Sequence, residues 1–236
     1  MYTTAASAHF PCETCEVRDK AICAALNNQE LRELNAITTS VSLPAKRTVF
    51  CEGDESTYLF NVVSGTVRLS KVLSDGRRQV TGFLFAGDFL GLSVADHYAY
   101  TADAVTDASL CRFERSKLTR LLDRFPKLEL RLLDLASNEL VQAQDHLMLL
   151  GRKTATERLA SLLVRLLDRI GQSQGGSGVI DLPMSREDLA DYTGLTTETV
   201  SRTLTRLRKQ GIIQIPNTRS VLIPKAERLE ALAGDY

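Results

Sequence analysis

The stretch that most restricts the fold is "MSREDLADYTGLTTETVSRTLTRLRKQGII", residues 184–213. Ser185, followed three positions later by Asp188, opens a helix as a capping box does, with the shorter acid in place of glutamate. Leu189, Ala190 and Tyr192 give that helix its apolar contacts. Gly194 stands where a tight helix–helix turn needs a left-handed backbone. A second helix begins with Thr196 or Thr197 as its N-cap. Its Val200, Leu204 and Leu207 turn toward a core, while Glu198, Ser201, Arg202 and Thr205 share the opposite face at i, i+3, i+4 and i+7. "GIIQIPNTRSVLIP" follows and reads as a β-hairpin turning at residues 217–219. Two short helices joined by a glycine turn, with a hairpin behind them, make a winged helix-turn-helix.

Charge supports a nucleic-acid surface only locally. The chain carries 29 basic and 29 acidic side chains, so its net charge of zero gives no hint of a polyanionic partner. Residues 199–226, however, hold Arg202, Arg206, Arg208, Lys209, Arg219 and Lys225 and no acid. Arg202 can fork onto guanine O6 and N7, and Glu198 can accept from cytosine N4. The same two residues are also spaced to form a surface ion pair.

Upstream the pattern changes twice. From about residue 40 to 115, short runs rich in Val, Ile, Phe, Thr and Tyr alternate with turn signals at Gly53, Gly65, residues 74–77, Gly82, Gly87 and Gly91. This is the pattern of a small antiparallel barrel or jelly roll. After Pro126 there is no Gly or Pro up to Leu150, and Leu132, Ala136, Leu140, Ala143, Leu147 and Leu150 recur at helical spacing. At ~1.5 Å per residue that helix is about 35 Å long. Its narrow apolar seam suits pairing with a second copy, or packing within its own domain. No charge interrupts the seam near its C-terminal end. A further helix spans residues 154–170, and "GQSQGGSG", residues 171–178, reads as a flexible connector.

The expected fold class is α+β: a jelly-roll β-roll, a long dimerisation helix and a C-terminal winged helix-turn-helix. The expected divisions are 1–25 (cysteine segment), 26–120 (β-roll), 121–151 (long helix) and 152–236 (DNA-binding domain). A chain of 236 residues with 44% hydrophobic side chains readily buries such cores. The N-terminus lacks the charged and apolar regions of a secretory signal, and no apolar run approaches the ~18 residues of a membrane span. A cytoplasmic protein without membrane contact is expected, and there thiols stay reduced.

That makes the cysteines informative. "FPCETCEVRDKAIC" places Cys12, Cys15 and Cys23 in a C-x2-C-x7-C pattern among charged residues, which is unlike a core segment. Cys111 stands alone in "ASLCRFERSKL". A two-residue gap lets neighbouring thiolates share one metal centre or one cluster face. Four thiolates suit zinc and an iron–sulfur cluster equally, and spacing does not separate the two. A thioredoxin-type dithiol would need a strand before it and a helix after it, a context absent here. Cys51, in "TVFCEGD", reads as a buried small hydrophobe. His97 and His146 read as structural or surface residues, and His9 as a remote alternative ligand.

Taken whole, the sequence resembles the CRP/FNR family of bacterial transcription regulators. "EGDESTYLFNVVSGTVRL" resembles the family's β-roll signature, "RQVTGFLFAGDFLGL" the strands after it, and "MSREDLADYTGLTTETVSRTLTRL" its DNA-binding signature, with "ETVSR" similar to FNR-type recognition helices. The resemblance implies a cyclic-nucleotide-binding-like β-roll and a regulator without enzymatic activity that binds double-stranded DNA as a homodimer. Glu198, Ser201 and Arg202 would read TTGAT-type half-sites, with Thr197, Thr199 and Arg206 completing the DNA-contact set. It also implies that Cys12, Cys15, Cys23 and Cys111 hold an oxygen-labile [4Fe–4S] cluster. Zinc, or no cofactor at all, is the alternative, and a small-molecule ligand in the β-roll is a third. RNA polymerase is an implied partner, through the "SDGRR" loop at residues 74–78. Cyclic AMP receptors of the family neutralise the cyclic phosphate with an arginine. Residues 96–107 contain neither Arg nor Lys, so cyclic AMP is not expected.

Overall fold

The computed structural model describes residues 12–93, 96–174 and 177–234. They fall into two compact units, one drawn from residues 12–71 and 82–140 and the other from 72–81 and 141–234.

The first unit begins with two 3-10 turns, Cys12–Thr14 and Ile22–Ala25, followed by helix α1, Asn28–Ala36. Asn27 and Glu30 cap α1 reciprocally: Asn27 Oδ1 accepts from Glu30 N at 2.9 Å and Glu30 Oε2 from Asn27 N at 2.8 Å. Strands β1 (Thr38–Leu43), β2 (Thr48–Phe50), β3 (Tyr58–Ser64), β4 (Val67–Val72), β5 (Arg78–Leu84), β6 (Phe89–Leu90), β7 (Thr101–Ala104) and β8 (Ala108–Glu114) follow. They pair into two antiparallel sheets ordered β1-β8-β3-β6 and β2-β7-β4-β5, the expected jelly roll. Gly65, at φ +84°, makes the β3–β4 turn, where a Cβ would lie 2.3 Å from the Asp107 carbonyl oxygen. Gly82 is no turn: it lies inside β5. Cys51 is exposed just after β2, so the expectation of a buried thiol is wrong. Three strand residues on, the chain has already left the core at the Gly53 turn.

Two cores hold the unit. Between the sheets, Val62, Val67, Ala102 and Leu110 are fully buried, and Phe50 stacks on Tyr98 with centroids 3.7 Å apart. A second core joins Ile22, Leu26, Leu31 and Leu34 of the N-terminal segment to Leu59, Phe89 and Phe113 of the first sheet. It also takes in Leu118, Leu121, Leu128 and Leu132 from helices α2 (Arg115–Arg124) and α3 (Pro126–Arg152). Pro126 starts α3, where its missing N–H costs nothing, and pushes Phe125 out of helical geometry (φ −126°, ψ 79°), which ends α2. Arg115 staples the loops beside this core: its guanidinium donates to the carbonyls of Ser56 (2.7 Å), Gly91 (2.9 Å) and Ser93 (3.1 Å).

The later part of the expected seam on α3 is open, with Leu140, Ala143 and Leu147 exposed, but its first member is not. Leu132 is 9% exposed in the second core, whereas Leu133, Leu140 and Leu147 are 61%, 60% and 70% exposed. Leu130, Val141 and Met148 flank this seven-residue repeat and are exposed as well. The expected seam and the open stripe share Leu140 and Leu147 and part only at their start, where Leu132 is taken into the core and Leu133 is left outside.

In the second unit, α4 (Ala155–Ile170) matches the helix expected over 154–170, and Thr154 with Glu157 caps it. Residues 171–178 are not a plain linker: β9 (Gln172–Gln174) and β10 (Ser177–Asp181) pair antiparallel within them, and residues 175–176 lie outside the described part. Gly178 is buried because its missing side chain admits Leu167, whose Cδ1 would lie 2.3 Å from a Cβ there. Helices α5 (Arg186–Thr193) and α6 (Thr197–Lys209), strand β11 (Ser220–Ile223) and α7 (Ala226–Ala233) complete the fold, with the small sheet ordered β11-β10-β9. This is a winged helix-turn-helix.

Candidate functional site

The helix-turn-helix is built as its sequence required. Asp188 Oδ2 accepts from Ser185 N at 3.0 Å, and Ser185 Oγ accepts from Asp188 N at 3.1 Å. Gly194 closes α5 at φ +63°, ψ +35°, and Thr196 is the N-cap of α6. Val200, Leu204 and Leu207 are buried.

The carbonyls at the end of α5 have no helical partners and are met by side chains. Gln79 Nε2 donates to the Asp191 carbonyl at 2.6 Å, and Arg158 donates to that of Thr193 at 3.0 Å. Buried His146 stacks on Tyr192, with centroids 4.2 Å apart, and its Nε2 lies 2.8 Å from the Tyr192 carbonyl. Burial lowers the proton affinity of that ring. Arg78 pairs with Asp191 at 2.7 Å and Asp188 at 3.3 Å. These contacts fix α5, and through the Gly194 turn they fix the direction of α6. Nothing in the local sequence signalled Arg78 or Gln79, since their partners lie more than 100 residues away.

On α6, Thr197, Glu198, Ser201, Arg202 and Arg206 are exposed together, and Thr199 is half-buried. Arg202 donates to Glu198 Oε1 at 2.6 Å, so the two side chains expected to read bases are paired with each other. With side chains 76% and 69% exposed, the pair holds weakly and can open onto a partner. Ser201 Oγ donates to the Thr197 carbonyl at 2.8 Å, which leaves its lone pairs outward. Thr199 Oγ1 meets the cap hydroxyl of Thr196 at 2.9 Å, and Arg206 donates to Thr156 at 3.4 Å. The wing turns on Asn217, whose Oδ1 accepts from the amides of Arg219 (2.9 Å) and Ser220 (2.8 Å).

The other sequence-derived group converges in the first unit. Cys12, Cys15, Cys23 and Cys111 all line one small cavity, with Val17, Ile22, Asn61 and Phe113 among its walls. Cys111 reaches it from β8, the others from the turns before α1. The Cys12 thiol donates to Asn35 Oδ1 at 3.1 Å, and that of Cys23 points at the Arg18 carbonyl 3.8 Å away. Burial first, then the neighbouring thiols, pushes Cys23 up to about 11 and Cys111 up to about 12, and raises Cys12. No three His, Cys, Asp or Glu side chains among the described residues already stand as a metal-binding group. The cavity measures about 20 Å³, room for a water and no more. An all-thiol donor set on one cavity fits a thiophilic metal or an iron–sulfur cluster, once the thiols deprotonate and the turns yield. His97 is exposed in a bridge with Glu55, and His9 lies outside the described residues.

A jelly-roll domain, a long helix with an open leucine stripe and a winged helix-turn-helix with a basic second helix define a DNA-binding transcription regulator. The comparisons with known proteins agree. The cyclic nucleotide-binding domain matches residues 40–125 and the Crp-like helix-turn-helix domain residues 157–232. The chain is 42% identical over 226 residues, 96% of its length and 94% of the relative's, to the nitrogen fixation regulation protein FixK of Bradyrhizobium diazoefficiens. It is 37% identical over 228 residues, covering 95% of the chain and 92% of the relative, to the transcriptional activator protein FnrL of Cereibacter sphaeroides. The solved structure of FixK2 from Bradyrhizobium japonicum superposes with a TM-score of 0.79 at 36% identity, covering 85% of this chain and 99% of that one. The chain belongs to the CRP/FNR family, whose members are dimeric DNA-binding regulators and not enzymes. No helix among the described residues is long and apolar enough to cross a membrane.

Proposed function

We propose that the chain is a cytoplasmic, oxygen-responsive transcription regulator that binds TTGAT-type palindromes as a homodimer and holds a [4Fe–4S] cluster on Cys12, Cys15, Cys23 and Cys111. The observation that carries this reading is the convergence of those four thiols, from positions as far apart as 12 and 111, on one cavity. When bound, such a cluster supplies an oxygen-reactive centre. The chain's own part is to bring three thiols of the N-terminal turns to the one on β8, and so to fasten those turns to the sheet. The same turns share a core with Leu128 and Leu132 of α3, whose outer face carries the Leu133, Leu140 and Leu147 stripe. Loss of the thiol ligation loosens the packing that supports one face of this helix, and pairing of the other face weakens with it.

On DNA, Glu198 and Arg202 exchange each other for base edges, Ser201 adds a short contact, and Thr197, Thr199 and Arg206 serve the phosphates. Pairing through α3 sets two such helices about one DNA turn, ~34 Å, apart. The tip at residues 74–78, which carries exposed Arg77, is the surface we assign to RNA polymerase. Cyclic AMP is disfavoured, since Arg68, facing β7, is engaged by Asp103 at 2.8 Å.

A cluster-free regulator of the FixK kind is the rival, and the tightness of the thiol cavity favours it. Anaerobic purification with visible absorption, iron and sulfide analysis, and DNA binding with and without air separates the two. A brown protein that loses operator affinity in air supports the proposal. A colourless or zinc-containing protein that binds DNA equally in air sinks it.

A further inference from the structure

Cys23 is delivered by a short piece of backbone that two side chains from elsewhere hold. Ile22, the residue before Cys23, is fully buried, and its N–H opens a 3-10 turn, where a helix supplies no acceptor. Asn61 Oδ1 meets that N–H at 3.4 Å. Asn61 is itself 2% exposed on β3, lines the thiol cavity, and is the direct cross-strand neighbour of Cys111 on β8. Its Nδ2 donates to the Val62 carbonyl at 3.2 Å, which fixes the amide so that Oδ1 faces the turn. From the other side Arg131 of α3 donates to the Lys20 carbonyl at 2.7 Å and approaches that of Ala21 at 3.5 Å. Lys20 in turn packs on Gly87, where a Cβ would lie 2.7 Å from that of Lys20. The backbone from Lys20 to Ile22 is therefore gripped at its carbonyls by the long helix and at its amide by the Cys111 sheet. A buried asparagine among leucines, valines and phenylalanines is a costly choice unless its hydrogen bonds serve a purpose.

We infer that Asn61 and Arg131 are positioning residues: they seat the Lys20–Ile22 backbone, and with it Cys23, against the strand that carries Cys111, and Arg131 ties this seat to α3. For its bearing on the cluster the inference rests on the function proposed above, but the grip itself is a property of the metal-free chain. Asn61→Leu keeps the volume and removes the acceptor, and Asn61→Asp keeps an acceptor oxygen.

The test is site-resolved amide exchange by NMR on the reduced, metal-free full-length protein. In Asn61→Leu, Ile22 exchange should quicken about three- to tenfold, the worth of one hydrogen bond, while the Leu110 amide and the unfolding midpoint stay near wild type. Asn61→Asp should restore Ile22 protection. Unchanged Ile22 exchange in a folded Asn61→Leu protein overturns the inference, and so does equal acceleration in both variants, which would mean that Asn61 acts only by packing. Should Asn61→Leu fail to fold, Arg131→Gln, on a half-exposed helix face, decides: its Lys20–Cys23 amides must exchange faster, and unchanged rates there overturn the proposal. After anaerobic reconstitution, Asn61→Leu should also bleach in air several-fold faster than wild type. A wild-type chain that takes up no iron and sulfide retires the cluster reading, while the exchange result still decides the grip.

Discussion

The reading helix and the thiol cavity are assembled in opposite ways. Glu198, Ser201 and Arg202 share one face because a helix turns every ~3.6 residues, so a single local element creates the surface. The four cysteines meet only because β8 has paired with β1 and β3, the N-terminal turns have packed under that sheet, and α3 covers them. A locally built site survives damage elsewhere, whereas a site gathered from distant segments reports on the packing of all of them. Such gathering suits a sensor, and local construction suits a reader whose geometry must stay constant.

The contrast can be broken most severely at Cys111. Cys111→Ala should abolish the visible absorption of the anaerobically reconstituted protein altogether, whereas Cys51→Ala, at an exposed thiol outside the cavity, should leave it intact. Retention of colour in Cys111→Ala would show that the gathered set is not the ligand set. Next in size, Leu207→Ala, at a fully buried site in α6, should cost about 2–5 kcal/mol in calorimetric stability. Yet it should leave iron and sulfide content unchanged, since Leu207 has no part in the lining of the thiol cavity. Arg202→Ala should lose about 1–3 kcal/mol of discrimination at one base pair, measured by competition between operators mutated singly. A uniform loss across all sequences would reassign Arg202 to phosphate.

The smallest effect is in pH, where the two regions move in opposite directions. Cys23 and Cys111 hold their protons more tightly folded than unfolded, so the stability they confer on the metal-free first unit is present below pH 9.0. It is lost as pH rises toward about 11 and about 12. His146 is held neutral by burial, so the unfolded chain binds the extra proton, and the second unit weakens as pH falls below 6.5. His146→Gln should flatten only the acid limb of a plot of melting temperature against pH.

Legibility in the sequence followed the same division. The capping box at Ser185 and Asp188, the left-handed Gly194 and the inward Val200, Leu204 and Leu207 were all readable, because each depends on neighbours within four residues. The cysteine spacing pointed to a shared centre, and the resemblance supplied Cys111 as its fourth member. Asn61 was not readable: in "YLFNVV" a lone asparagine looks like an ordinary strand residue until β8 and the Ile22 turn lie beside it. The leucine seam was readable at Leu140 and Leu147 and missed only its start, because Leu132 and Leu133 are equally apolar neighbours. Only the second core, by claiming Leu132, chooses between them. The Gly/Ser run at residues 171–178 failed because composition does not reveal that Gly178 admits Leu167.

The ion pair on the reading helix bears on how such a regulator finds its operators. Off DNA, Arg202 and Glu198 lie beside each other in a weak, exposed pair, so the acid offsets part of the positive charge of α6. Encounters with arbitrary sequence must then be held by the remaining cations, such as Arg206, Arg208 and Lys209, and nonspecific dwell times shorten accordingly. On the base-reading role proposed for them, a site that offers partners to both Glu198 and Arg202 compensates for opening the pair. A reader whose basic charge is confined to one short surface is held less firmly on the wrong DNA and lingers where the bases match.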